Sequence, residues 1–336
     1  MEKYPASPYE PTGDEPVEAS KAGAYPPKFE RREQAANVWL KSLVSLALYL
    51  VLGYYIFHSF RFLLLITAIV VFHELGHFFA MKFFRYKDLG IFFIPLLGAY
   101  VSGSKREVSQ KESAIILLAG PLPGIIVGAL LHLLFQRDPY AQVAGIYISD
   151  ISIMLIFLNI LNLLPIYPLD GGQLLNRVFL DEEGWISKVF IFVSVGFMCW
   201  FVLFGMNRPF YPLLIFPAML LLRMIGDSKM NHIEKRIENE GIDLNKSYED
   251  LPDEEYWKIR QILIEEHNDY KEIEPAPPYQ FSPKEEKIMT AVKSLLHRHL
   301  IEDVSVAGKL LLFLICATAF ASPWLLGIDI LARFRF

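Results

Sequence analysis

The sequence predicts an all-α polytopic membrane protein with about six to seven transmembrane helices. Hydrophobic residues make up 53% of the 336 positions, and Phe alone occurs 26 times. That is too apolar for an ordinary soluble domain. The apolar residues also gather into runs of about 20, the length that crosses a bilayer as a helix. The acidic residues sit mostly in the tails, so the formal net charge of −5 says little about partners. No basic patch with interleaved aromatics occurs, so nothing points to nucleic acid. The lipid bilayer is the partner that this composition requires.

Residues 1–37 are rich in Pro, Glu, Tyr and Lys and have no periodic apolar pattern, which predicts a flexible tail. The first apolar run starts too late for a cleaved signal peptide and lacks a small-residue cleavage site, so the first span is expected to remain as an anchor. A membrane-embedded domain is expected over residues 38–226. Its spans run from about Val38 to Phe57, Arg61 to Phe84, Glu112 to Phe135, Ile146 to Leu164, Trp185 to Gly205 and Phe210 to Ile225. Between the second and third lies LGIFFIPLLGAYVSG, residues 89–103. It is short, rich in β-formers and interrupted by Pro95, Gly98 and Gly103, and reads as a re-entrant β-hairpin. Residues 227–309 are polar, with single apolar stripes at Tyr256, Ile259, Leu263 and at Ile288, Val292, Leu295, Leu296. Those spacings predict a small helical segment. A last span, about Leu310 to Leu331 within residues 310–336, closes the chain. Cys199 and Cys316 fall in separate apolar runs and read as inert thiols.

Lys and Arg set the orientation. The N-terminal tail, the loop with Lys82, Arg85, Lys87, Lys105, Arg106 and Lys111, and residues 227–309 are basic enough to be cytoplasmic. The Gln136–Gly145 connection carries only Arg137. Alternation from a cytoplasmic N-terminus satisfies all four; Arg333 and Arg335 then fall outside, against the rule. The cell (inner) membrane, with an active site toward the cytoplasmic side, is the expected setting.

The chemistry concentrates in VVFHELGHFFA, residues 70–80. A carboxylate near the middle of a membrane helix costs roughly 2.5–3.5 kcal/mol even on lenient insertion scales. His73 and His77, at i and i+4, share one helix face, and two imidazoles there can bind one zinc ion (Zn2+) at about 2.0–2.1 Å. Glu74 is not needed as a ligand and is free to take a proton from zinc-activated water. A catalytic zinc needs a third protein ligand at membrane depth. NLLPIYPLDGG, residues 162–172, offers Asp170 just after an apolar helix. Pro165 and Pro168 stop that helix and predict extended backbone. Gly171 and Gly172 predict a sharp reversal and leave room for a neighbouring chain.

HELGH in one span and NLLPIYPLDGG in a later one resemble the site-2 protease family of intramembrane zinc metalloproteases. GAYVSG resembles that family's re-entrant β segment, and AGPLPG falls where the family has a Gly-rich core helix. The resemblance covers about residues 61–175, a three-helix metalloprotease core. The connection between the third and fourth spans has about a dozen residues, so the chain looks like the branch without an inserted PDZ domain. The resemblance implies His73, His77 and Asp170 as zinc ligands and Glu74 as general base. Asn162 would hydrogen-bond the substrate. Asn159 reads as a packing residue and His132 as a lone interfacial one. We expect the edge formed by Gly98, Ala99, Tyr100 and Val101 to pair with an unwound transmembrane protein or peptide substrate by β-augmentation.

The function that follows is intramembrane zinc endopeptidase, in regulated proteolysis or removal of signal-peptide remnants. A non-catalytic membrane scaffold of the same fold is the alternative, and intact Glu74 argues against it. An ion transporter is disfavoured by the lack of an internal repeat. A homo-oligomer is compatible with the sequence.

Overall fold

The computed structural model describes residues 25–30, 38–95, 98–105, 107–180, 184–205, 211–274, 276–277, 279–296 and 300–328. Most of the expected N-terminal tail, and Asp329, Arg333 and Arg335, lie outside them.

In chain order the elements are α1 Val38–Phe57, α2 Phe60–Phe83, β1 Lys87–Ile94, β2 Gly98–Ser104, β3 Val108–Ser109, α3 Gln110–Ala119, α4 Pro121–Phe135, β4 Gln142–Val143, β5 Ile146–Tyr147, α5 Ile148–Asn162, α6 Asp170–Leu174, α7 Trp185–Trp200, α8 Ile215–Asn239, α9 Asp253–Glu266, α10 Glu285–Leu295, β6 Leu300–Ile301 and α11 Val306–Leu325. Among the described residues, five helical stretches are long and apolar enough to cross a membrane: α1, α2, Gln110–Phe135, Trp185–Gly205 and α11. Ile148–Asn162 and Tyr211–Gly226 are apolar but shorter. These two lie where the fourth and sixth spans were expected. Large apolar side chains stay exposed along these helices, such as Leu43, Tyr55, Phe192 and Leu310. A contiguous apolar exterior of this kind suits hydrocarbon and not water.

The chain divides into two compact units. One comprises residues 33–229 with 298–336. In it α2 packs against α3, α4 and α5, and α4 against α5 along its length. Ser59 caps α2, and Ser109 caps α3 by accepting from the N–H groups of Lys111 and Glu112. The third expected span is broken between α3 and α4 at Gly120-Pro121, because proline has no N–H and fits the first position of a new helix. The expected hairpin is present. β1 and β2 are antiparallel, with Ile94 opposite Gly98, Phe93 opposite Ala99, Phe92 opposite Tyr100 and Ile91 opposite Val101. Residues 136–147, between α4 and α5, hold only the β4–β5 hairpin.

The boundary of the last segment differs from expectation. Residues 300–309 side with the membrane helices, because β6 pairs in parallel with β3, Val108 opposite Leu300 and Ser109 opposite Ile301. The Asp303 carboxylate accepts from the Ser109 hydroxyl at 2.6 Å and the Lys111 N–H at 3.0 Å. α11 accordingly starts at Val306, not Leu310.

The second unit comprises residues 230–297 together with the first 32. Its buried apolar core runs from Ile233 to Leu296 and includes Ile237, Ile259, Leu263, Ile288 and Val292. Both predicted stripes lie in that core. Within it, Glu285 accepts from Arg260 Nε at 2.7 Å, Arg260 Nη2 at 2.9 Å and the Tyr256 hydroxyl at 2.6 Å. Burial, then the bond to Glu285, push the Tyr256 phenol well above its usual range, so it remains a donor. Residues 25–30, expected to be part of a flexible tail, are packed here through Tyr25 and Phe29.

Candidate metal centre

α2 carries His73, Glu74 and His77. At a rise of 1.5 Å per residue, His73 stands about 20 Å from one end of this apolar helix and about 15 Å from the other, in its middle part. All three side chains and Asp170 are buried, with 5–8% exposure. The His73 and His77 Nε2 atoms are 3.1 Å apart. Asp170 Oδ2 lies 3.0 Å from the first and 3.3 Å from the second. The structure thus brings together the three residues that the sequence nominated as ligands, from elements nearly a hundred residues apart. Among the described residues they form a group able to hold a metal ion.

The ring protons decide what that triangle is. His77 Nδ1 faces the Ile116 carbonyl at 2.7 Å, an acceptor only, so it carries the proton. His73 Nδ1 faces Asn159 Oδ1 at 2.8 Å. The Asn159 amide is oriented by its Nδ2, which donates to the Leu155 carbonyl at 2.7 Å, so its oxygen must face His73. In the neutral rings, both Nε2 atoms therefore present lone pairs. They converge on Asp170 Oδ2, which is buried without a hydrogen-bond partner. Three lone-pair atoms in a buried site repel one another unless a proton or a metal cation lies among them. Two imidazole nitrogens and a carboxylate oxygen are a zinc donor set. Ligand bonds of about 2.0–2.1 Å in a tetrahedron imply edges of about 3.3–3.4 Å, close to the separations observed.

The break between α3 and α4 lets the site close. Ile116 is in the last turn of α3, where carbonyls are available to side-chain donors. A Cβ on Gly120 would sit 2.3 Å from His77 Nε2 and 2.9 Å from His73 Nε2, so only glycine leaves the space over both rings. A Cβ on Gly124 would meet Asn159 Nδ2 at 2.1 Å. The loop carrying Asp170 differs from expectation. Leu169 is extended, but Asp170 starts α6, so Gly171 and Gly172 lie within a helix and make no reversal. Their other expected use is present: Cβ atoms there would lie 1.9 Å from the Leu163 carbonyl oxygen and 2.3 Å from the Ile166 carbonyl carbon.

Asn159, read as packing, is the residue that orients His73. Asn162 instead donates to the Leu158 carbonyl of its own helix at 3.3 Å. The two are one turn apart, and spacing alone does not tell which faces α2. Replacing Asn159 by Ala should weaken zinc binding about 10–100-fold, because an unanchored imidazole loses its fixed tautomer. Competition with a chelator measures this. An affinity equal to that of the parent removes the orienting role, and Asn162→Ala should not change zinc affinity.

Fold and site define a polytopic membrane protein with a buried His-His-Asp group able to hold a metal ion. Residues 61–139, the stretch that holds HELGH, match the model of peptidase family M50. Asp170 lies beyond the matched residues. The chain is 34% identical to stage IV sporulation protein FB of Bacillus subtilis over 123 residues, 36% of this chain and 41% of that protein. It is 27% identical to a zinc metalloprotease of Methanocaldococcus jannaschii over 141 residues, 42% of this chain and 40% of that one. The chain thus spans about two fifths of the length of these curated relatives. A solved site-2 protease from Methanocaldococcus jannaschii is 23% identical and covers 54% of this chain and 84% of that one, with a TM-score of 0.39.

Proposed function

We propose that this protein is a zinc-dependent intramembrane endopeptidase that hydrolyses peptide bonds in transmembrane protein or peptide substrates. The carrying observation is the convergence of His73 Nε2, His77 Nε2 and Asp170 Oδ2 beside buried Glu74 in a membrane-spanning helix. The M50 match over residues 61–139 supports it.

His73, His77 and Asp170 would hold the zinc, which would supply Lewis-acid chemistry for polarising a carbonyl and activating water. The Glu74 carboxylate takes the proton from the attacking water and returns it to the leaving amide nitrogen. Asn162 donates its side-chain N–H to the substrate backbone. The proposed orientation, with N-terminus and site toward the cytoplasm, rests on the Lys and Arg distribution.

Substrate is held as a strand on β2. Phe93 N–H donates to Ser45 Oγ at 3.1 Å, so Phe93 turns away from β2. Its partner Ala99, and Val101 two residues on, therefore direct N–H and C=O to the outer edge. Among the described residues that edge has no paired strand. Ala99→Pro and Val101→Pro each remove one edge donor and should slow cleavage of a defined single-pass substrate about fivefold or more. If both variants cleave at the parental rate, edge pairing is wrong.

The test of the whole reading is metal and cleavage together. The intact protein, purified in detergent, should carry about one zinc per chain by mass spectrometry. It should cut a single-pass substrate in a chelator-sensitive manner. His77→Ala and Asp170→Ala should lose the zinc. A folded parent without zinc, or unchanged zinc in both variants, overturns the ligand set. Zinc without cleavage of any transmembrane substrate favours the scaffold.

A further inference from the structure

Residues 25–30, from the far end of the chain, pack on the unit formed by residues 230–297. Residues 25–30 read Tyr-Pro-Pro-Lys-Phe-Glu. The Trp257 indole N–H donates to the Pro26 carbonyl at 2.8 Å. The Lys28 N–H donates to Asp253 Oδ1 at 2.8 Å. The Lys28 ammonium donates to the carbonyls of Glu249 at 2.8 Å and Leu251 at 2.6 Å, and lies 5.6 Å from the Tyr248 ring centre. The Tyr248 hydroxyl donates to the Phe29 carbonyl. The rings of Tyr25 and Tyr279 meet edge to face at 5.4 Å, and those of Phe29 and Phe281 at 5.3 Å. Tyr279 and Phe281 both pack on Trp257, at 5.2 and 5.5 Å.

Two facts separate a ligand from a core element. The buried apolar core lies wholly within residues 233–296, and Tyr25 and Phe29 only pack against it from outside, partly buried. They cover it at Tyr248 and Trp257 and supply none of its fully buried residues. Further, Trp257 is held in place from within its own unit, because the Arg260 guanidinium lies 4.9 Å from its ring centre and is itself fixed by Glu285. These contacts to Trp257 do not involve residues 25–30. Pro26 and Pro27 pre-set an extended backbone at little entropic cost. An aromatic groove with an indole donor to a peptide carbonyl is a known way to read such a segment.

We propose that the surface around Trp257 is a binding groove for Tyr-Pro-Pro-Lys-Phe segments, occupied in cis by residues 25–30 of the same chain as a displaceable clasp. The proposal is independent of the protease reading. Its test uses the full chain in detergent and a fluorescent peptide of residues 21–32. A Tyr25→Ala/Lys28→Glu/Phe29→Ala variant, folded by circular dichroism, empties the groove and should bind the peptide saturably by anisotropy. The parent should bind it roughly ten- to a hundredfold more weakly, since the tethered segment competes at high effective concentration. Adding Trp257→Phe to the emptied variant should weaken binding about fivefold, the loss of one donor from a retained ring. Lys28→Glu alone, with both rings kept, serves the same comparison if the triple variant does not fold. Equal binding by parent and emptied chain, or none by a folded emptied chain, overturns the groove. A block in the parent that fades on dilution overturns occupancy in cis and assigns the groove to a second copy.

Discussion

Glu74→Gln will abolish cleavage of a transmembrane substrate and leave the zinc in place. The substitution keeps the shape of the side chain and its burial at 5% exposure, and removes only the ability to accept a proton. General acid–base catalysis contributes about 10²–10⁴-fold, so the turnover rate should fall by at least that much. The three atoms that converge on the metal position belong to His73, His77 and Asp170, not to Glu74. Zinc should therefore stay near one per chain. The contrast with His77→Ala and Asp170→Ala, which should lose metal and activity together, separates a base from a ligand. Cleavage within tenfold of the parent would deny Glu74 its role. Zinc lost along with activity would make Glu74 part of the metal site.

The second large effect lies outside the membrane helices. Arg260 and Glu285 are a buried ion pair, with side chains 1% and 2% exposed. Arg260→Met leaves the Glu285 carboxylate with the Tyr256 hydroxyl and the Ser282 N–H but no countercharge. Breaking such a pair from one side costs about 3–5 kcal/mol, because a charge remains desolvated. Amide hydrogen exchange in α9 and α10 of the intact protein should accelerate by about two to four powers of ten. Replacing both residues, as Arg260→Met with Glu285→Leu, should recover most of the loss, since no unpaired charge is then buried. Acceleration below tenfold in the single variant would mean that the pair does not hold the unit together.

How much of this was legible beforehand depends on the range of the interaction. His73 and His77 were readable as a pair because helical periodicity puts i and i+4 on one face whatever surrounds them. Asp170 was readable as a carboxylate at the end of an apolar helix, at a depth where little else is ionisable. The β1–β2 hairpin followed from β-formers punctuated by Pro95 and Gly98. Asn159 and Asn162 show the limit. Both are amides on one helix, one turn apart, and the face turned toward His73 is set by the packing of α2 on α5. The Ile116 carbonyl is a backbone atom with no side-chain signature at all.

The sequence by itself determined the membrane-spanning helices, the placing of His73 and His77 on one helix face and the helices Asp253–Glu266 and Glu285–Leu295, since apolar runs, spacing and residue type are local properties. The tertiary structure decided the rest. It made Gly120 the gap above the two imidazoles and turned Gly171 and Gly172 from a bend into a close helix contact. It joined residues 300–309 to β3, and it seated Tyr25–Glu30 on Trp257. Each of these is a meeting of groups far apart in the chain, and such a meeting exists only once packing has brought their surfaces together.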